Sequence, residues 1–267
     1  MQNLQAADVP SALDELDRLR TVIAGRRPAF FLDYDGTLTP IVERPELALL
    51  PAATREVLRR LAARYPTLVV SGRGREDVER LVDLPGIACA GSHGFDIAGP
   101  LRFAPAAAAE PVVAAITREL EAELARVPGA QVEPKRFTVA VHYRRVDPDR
   151  VREVERVVDR LLAAHPGLRK TGGKMVWELR PDLDWDKGRA VVWILGALGL
   201  DRPDVVPVYL GDDVTDEDAF RVLRERPGDG GLGILVAEEP RETAASFRLR
   251  DPEEVRRFLA DFAEQPV

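Results

Sequence analysis

The chain has 267 residues, 45% of them hydrophobic, which excludes disorder and allows one large domain or a domain with an insertion. Its formal charge of -7 leaves no basic surface able to neutralise a phosphate backbone, so nucleic acid is excluded as the expected partner and small anions are left to a locally arranged site. A single cysteine, Cys89 in the apolar stretch 86–91, excludes an intrachain disulfide, and no apolar run approaches the roughly 18 residues of a membrane span. Residues 1–20 also lack a basic start followed by an apolar core, and the expectation is a soluble, cytoplasmic monomer without membrane contact.

In chain order, helical spacing with a glycine stop predicts a helix over 12–25, and the apolar run 28–36 predicts a strand. An amphipathic helix over 51–66 ends at a proline and is followed by an apolar strand, 67–74, that finishes in a polar turn. A helix over 75–86 and a third strand, 87–94, repeat the pattern. Strands alternating with helices imply a right-handed parallel sheet covered on both faces, and short, wholly apolar runs suit strands buried on both sides. From about Pro105 the rhythm changes to a helix over 106–129, a hairpin over 130–146, a helix over 147–167 and a second hairpin over 168–181. That αββαββ order is a small internal repeat, expected to pair its hairpins into one sheet with helices on one side. The first rhythm then returns: helix 186–200, strand 205–213, helix 215–225, strand 232–237 and helix 251–263.

Ligands of open parallel sheets bind beyond the carboxyl ends of the strands, so charge placed there lines a crevice. "FFLDYDGTLTP", residues 30–40, ends an apolar strand in Asp33 and Asp35. Two close carboxylates repel unless a hard cation lies between them or one keeps its proton, and either outcome makes a reactive site. "VYLGDDVTDEDAF" puts Asp212 and Asp213 at another strand end, with Asp216 in the following turn. "VVSGR" contributes the Ser71 hydroxyl and backbone N–H groups, and Lys187 opens a helix with a compact cation. Taken singly, these are ordinary turns and a capped acidic helix start. Their order after successive apolar strands points to a phosphoryl-transfer site built from a metal, donors, a cation and a carboxylate nucleophile.

"DYDGTLT", "SGR", the Lys187–Gly188 pair and "GDDVTDED" resemble the four ordered motifs of the haloacid dehalogenase superfamily of phosphatases. "DYDGTLTPI", "GSHG", "EPKRFTVAVHYR", "GGKMVWELRP" and "GDDVTDEDAF" further resemble the trehalose-6-phosphate phosphatases over roughly residues 28–220, with Asp96 standing where a glutamate is expected. The resemblance implies an α/β, Rossmann-like catalytic core over 1–104 and 181–267, with an inserted α+β cap over 105–180 that closes over a sugar. It implies that Asp33 attacks phosphorus, that Asp35 serves as acid and base, and that Ser71 and Lys187 hold the phosphoryl oxygens. Mg2+ would sit on Asp33, the Asp35 carbonyl and Asp212, with Asp213 and Asp216 ordering its waters or Lys187. Arg73, His93, Glu133, Lys135, Lys174 and Glu178 are the expected substrate contacts, for trehalose 6-phosphate in trehalose biosynthesis. Apart from that resemblance, the two Glu–Lys sets of the hairpins read as cross-strand ion pairs on a solvated face. The core chemistry equally allows another sugar-phosphate phosphatase, for sucrose phosphate or mannosyl-glycerate phosphate, or a sugar phosphotransferase. A non-catalytic receiver-like module would need neither Asp35 nor a cap.

Overall fold

The computed structural model describes residues 4–5, 9–97, 107–173, 175–227, 230–239 and 241–265. Through the first half, the chain runs β1 (Leu4–Gln5), α1 (Leu16–Ile23), β2 (Arg27–Leu32), α2 (Ala52–Ala62), β3 (Thr67–Val70), α3 (Arg75–Val82), β4 (Ala88–Gly91) and β5 (Asp96–Ile97). It continues through α4 (Glu110–Leu124), β6 (Gln131–Pro134), β7 (Val139–His142), α5 (Val151–Ala164), β8 (Leu168–Gly173) and β9 (Val176–Pro181). The last part is α6 (Lys187–Ala197), β10 (Val205–Gly211), α7 (Glu217–Glu225), β11 (Leu232–Val236), β12 (Glu242–Thr243), β13 (Phe247–Leu249) and α8 (Pro252–Glu264). Two compact units result, one from Met1–Arg102 with Trp185–Val267 and one from Phe103–Asp184.

In the larger unit, seven strands order as β13-β11-β10-β2-β3-β4-β5, all parallel except that β5 runs against β4. β2 is central because its apolar run can be buried on both faces: Phe30, Phe31 and Leu32 are fully buried between β10 and β3. Phe30 meets Tyr65 edge-on at 5.9 Å and Phe262 of α8 at 5.5 Å, and Phe258 packs on Phe262 at 5.1 Å. Parallel pairing carries one consequence for chemistry. The residues that follow β2, β3, β4 and β10 emerge at the same edge of the sheet.

The smaller unit is a wholly antiparallel sheet, β6-β7-β9-β8, in which β7 and β9 join the two hairpins. Val139 opposite Leu179 and Val141 opposite Trp177 form its apolar face. Val113, Ile116 and Leu120 of α4, with Val154, Val158 and Leu161 of α5, cover that face. On the other face, Glu133 lies opposite Ala140, which lies opposite Glu178, which lies opposite Thr171. Alternation along each strand places all of them on one side.

Differences from the sequence expectation fall at element ends and sheet edges. α4 begins at Glu110 because Pro111 has no N–H to give to the preceding turn, and the alanines at 107–109 take a 3-10 turn instead. The helix expected over 12–25 shortens to Leu16–Ile23, since the Ser11 hydroxyl accepts from Asp14 N–H at 3.3 Å and holds a turn there. β5 and β13 close the two edges of the large sheet with two and three residues respectively, too short to carry a periodic signal. No helix among the described residues is long and apolar enough to cross a membrane.

Phe262→Ala removes one ring from the Phe30–Phe258 cluster and should cost about 3–5 kcal/mol in urea unfolding of the larger unit. Ile41→Ala, at a side chain 56% exposed, should change the same transition by less than about 0.5 kcal/mol.

Candidate active site

A buried ammonium organises the carboxyl edge of the large sheet. Lys187, the first residue of α6, donates from Nζ to Asp33 Oδ1 at 2.8 Å and to Asp216 Oδ1 at 2.6 Å. Asp186 caps the same helix, accepting from Arg189 N–H at 2.8 Å, so the lysine leaves a fixed helix start. Asp33 follows β2 directly and its N–H bonds Leu210 O across the sheet at 2.9 Å. Asp216 accepts a second bond from Tyr209 Oη at 2.7 Å and a third, on Oδ2, from Asp213 N–H at 2.9 Å. Asp213 reciprocates as the cap of the Val214–Asp216 turn, accepting from Val214 N–H at 2.8 Å. It is exposed and acts on this turn.

Oxygens of Asp33, Asp212 and Asp216 lie within 4.8 Å of one another. These three carboxylates and one ammonium sum to -2 when all are ionised, in a site where Asp33, Asp216 and Lys187 are buried. Burial pushes the Asp33 carboxyl well above its ordinary range; Lys187 opposes the rise, and Asp216 and Asp212 add to it. Burial would lower Lys187, but Asp216 and Asp33 outweigh it and hold the ammonium above its ordinary value, so it stays charged. A hard divalent cation fits this oxygen-only set and would offset the remaining charge. Asp33 and Asp212 are the carboxylates suited to hold it, because both Asp216 oxygens already serve protein donors.

The turn after β2 makes room for Asp212. Gly36 has φ +81°, and a Cβ there would stand 2.2 Å from Asp212 Oδ2. Asp35, on the near side of this turn, is gripped by Arg73: Nε donates to Oδ2 at 2.6 Å and Nη2 to Oδ1 at 2.7 Å. The same guanidinium donates to Asp77 at 2.9 Å and to Pro45 O at 2.8 Å, and lies 5.4 Å from the Tyr34 ring centroid. Ser71, the residue after β3, is buried, its hydroxyl accepting from Arg73 N–H at 3.2 Å. His93 sits in a left-handed turn against this loop, its N–H bonding Ser71 O at 2.9 Å. A Cβ on Gly72 would lie 2.8 Å from His93 Cε1, so that glycine is what admits the imidazole. Asp96 pairs with Arg75 at 3.3 Å.

The sugar-contact candidates group separately on the polar face of the smaller sheet. Lys135 Nζ donates to Glu178 Oε1 at 3.1 Å, as does Thr138 Oγ1, and His142 Nε2 lies 2.7 Å from Glu133 Oε2. Lys135 and Glu178 side chains are only 10% and 12% exposed, so their pair is enclosed, not the solvated ion pair that strand alternation alone suggests. Lys174 lies outside the described residues.

The family model described as trehalose-phosphatase matches residues 31–253. The chain belongs to the trehalose-phosphatase family. It is 43% identical over 268 residues to trehalose-phosphate phosphatase B of Arabidopsis thaliana, spanning 96% of this chain and 71% of that one. Among solved structures, the C-terminal domain of the trehalose-6-phosphate phosphatase of C. albicans superposes with TM-score 0.74 at 25% identity, covering 96% of this chain and 98% of that one. A haloacid dehalogenase-like hydrolase from Bacteroides thetaiotaomicron shares the fold with TM-score 0.59 at 15% identity, over 90% and 99% of the two chains. That likeness is one of fold, a mostly parallel sheet together with a separate α+β unit.

Several participants escaped the sequence reading. Tyr209 looks like one more apolar strand residue, yet its hydroxyl bonds Asp216; burial, then Asp216 and Asp33, push it well above the ordinary tyrosine range and keep its proton in place. Asp77 lies outside the quoted motifs and Thr138 and His142 lie within one without being singled out, and only register and helix phase bring them to Arg73, Glu178 and Glu133. Gly36→Ala should displace Asp212 and lower phosphate release by about a hundredfold or more, with an unchanged circular dichroism spectrum; near-normal turnover would show that Asp212 need not pack on this turn.

Proposed function

We propose that the protein is a phosphoric monoester hydrolase that converts trehalose 6-phosphate to trehalose and phosphate through an aspartyl phosphate on Asp33. One observation carries the reading: the family match runs from residue 31 to 253, through the strand-end carboxylates and the inserted unit alike, in a chain holding Asp33, Lys187 and Asp212 together. Since the sugar is read outside the core chemistry, a match confined to the core would leave the substrate open.

An Asp33 oxygen bonds phosphorus as the bond from phosphorus to the sugar O6 breaks, and Asp35 gives its proton to O6. Trehalose leaves. Water then bonds phosphorus as Asp35 takes its proton, the bond to Asp33 breaks, and phosphate and the free carboxylate are restored. Lys187 orients Asp33 and offsets charge on the phosphoryl oxygens, which the Ser71 hydroxyl and the N–H groups of its loop also hold. We assign Mg2+ to Asp33, the Asp35 carbonyl and Asp212; when bound, it supplies positive charge to the phosphoryl group. Arg73, read from sequence as a substrate contact, spends its donors on Asp35, Asp77 and Pro45, and we assign it to aiming Asp35. His93 braces the Ser71 loop beside it. Glu133, Lys135, Lys174 and Glu178 are assigned to the sugar hydroxyls.

Phosphate release from a panel of sugar phosphates tests the substrate. Trehalose 6-phosphate should be turned over far faster than sucrose phosphate or mannosyl-glycerate phosphate, chelator should stop the reaction and magnesium restore it, and preference for another sugar would overturn the assignment. Asp33→Asn should abolish turnover with the fold intact. Glu178→Ala should lower kcat/KM for trehalose 6-phosphate by about ten- to a hundredfold while sparing a small aryl phosphate. Equal loss on both substrates would assign Glu178 to folding.

A further inference from the structure

The loop that carries Asp212 is held from outside by a residue that no motif singles out. Arg241, between β11 and β12, donates from Nη2 to Asp212 O at 3.1 Å and to Asp213 O at 3.2 Å. Its Nη1 lies 3.3 Å from Glu217 Oε1, and Glu217 Oε2 accepts from Ala244 N–H at 2.7 Å. The Glu217 side chain is 7% exposed and Arg241 27%. Two consecutive carbonyls turned to one guanidinium fix the peptide planes on both sides of Asp213. That in turn sets the direction of the Asp212 Cα–Cβ bond, whose carboxylate rests on Gly36 and points to Asp33 and Asp216.

We infer that Arg241, pinned by Glu217, is a positioning residue for the metal ligand Asp212, and that it sets the affinity of the site for a divalent cation. The inference rests on the reading of Asp212 as a ligand. It makes a sign prediction that separates geometry from charge. Arg241 and Glu217 together are neutral, so removing Arg241 alone leaves a buried carboxylate near the site. By charge alone, that extra negative charge would tighten the binding of a cation. By position, freeing the Asp212–Asp213 peptides loosens a ligand and weakens binding, as loss of groups that orient metal ligands does by about ten- to a hundredfold.

Calorimetric titration of the full chain with magnesium alone tests this in the wild type, Arg241→Gln and Arg241→Lys. Lysine keeps the charge but cannot span both carbonyls and Glu217. Both variants should bind magnesium about tenfold more weakly, and the magnesium concentration giving half-maximal phosphate release should rise by the same factor. A merely structural role would lower the melting temperature and leave the affinity of the folded protein unmoved. Unchanged or tighter binding in either folded variant overturns the inference, and Arg241→Lys keeps it open to refutation should Arg241→Gln not fold. Absence of magnesium binding by the wild type would overturn the metal reading itself, and this inference with it.

Discussion

Everything at the carboxyl edge of the large sheet depends on one buried ammonium. Lys187 is 2% exposed and would be costly to enclose alone; with Asp33 at 2.8 Å and Asp216 at 2.6 Å it holds its charge. The contact fixes three separate stretches of chain relative to one another: the end of β2, the start of α6 and the turn before α7. Losing one partner of such a buried group costs roughly 3–5 kcal/mol, since the remaining charge is left uncompensated. The same pair of carboxylates leaves net negative charge once Lys187 is counted. Stability and cation binding are therefore two consequences of one charge arrangement.

Around this centre, the polar groups are shared in layers. Asp216 spends its oxygens on Lys187, Tyr209 and the Asp213 peptide, which ties α6, β10 and the turn after it to one carboxylate. Arg73 does for Asp35 what Asp216 does for Lys187, gripping both carboxylate oxygens while Asp77 and Pro45 O fix the guanidinium itself. Two-point attachment of a planar fork defines orientation as well as distance.

The smaller unit solves a different problem. Its apolar face is closed by α4 and α5, while its polar face keeps Lys135, Thr138 and Glu178 mutually bonded and largely enclosed. Ordered donors and acceptors on a rigid sheet lose little entropy when they engage a hydroxyl-rich ligand.

By itself, the sequence determined the parallel sheet, the α+β repeat and the placing of Asp33, Lys187 and Asp212 at element ends, because each is written locally. Apolar runs mark strands buried on both faces, and a carboxylate placed just after such a run must emerge at a sheet edge. The same local rules left the ends of α1 and α4 displaced by a few residues and missed β5 and β13, where the signal is shorter than a period. Tertiary structure alone decided what each polar group is bonded to. That Arg73 faces Asp35 and that Arg241 reaches back to the Asp212 loop follow from crossovers bringing together residues separated by many positions, while Tyr209 meets Asp216 through the turn that follows β10. Hydrogen-bond partners across a sheet edge are set by register and helix phase, and no spacing within one segment of chain encodes them.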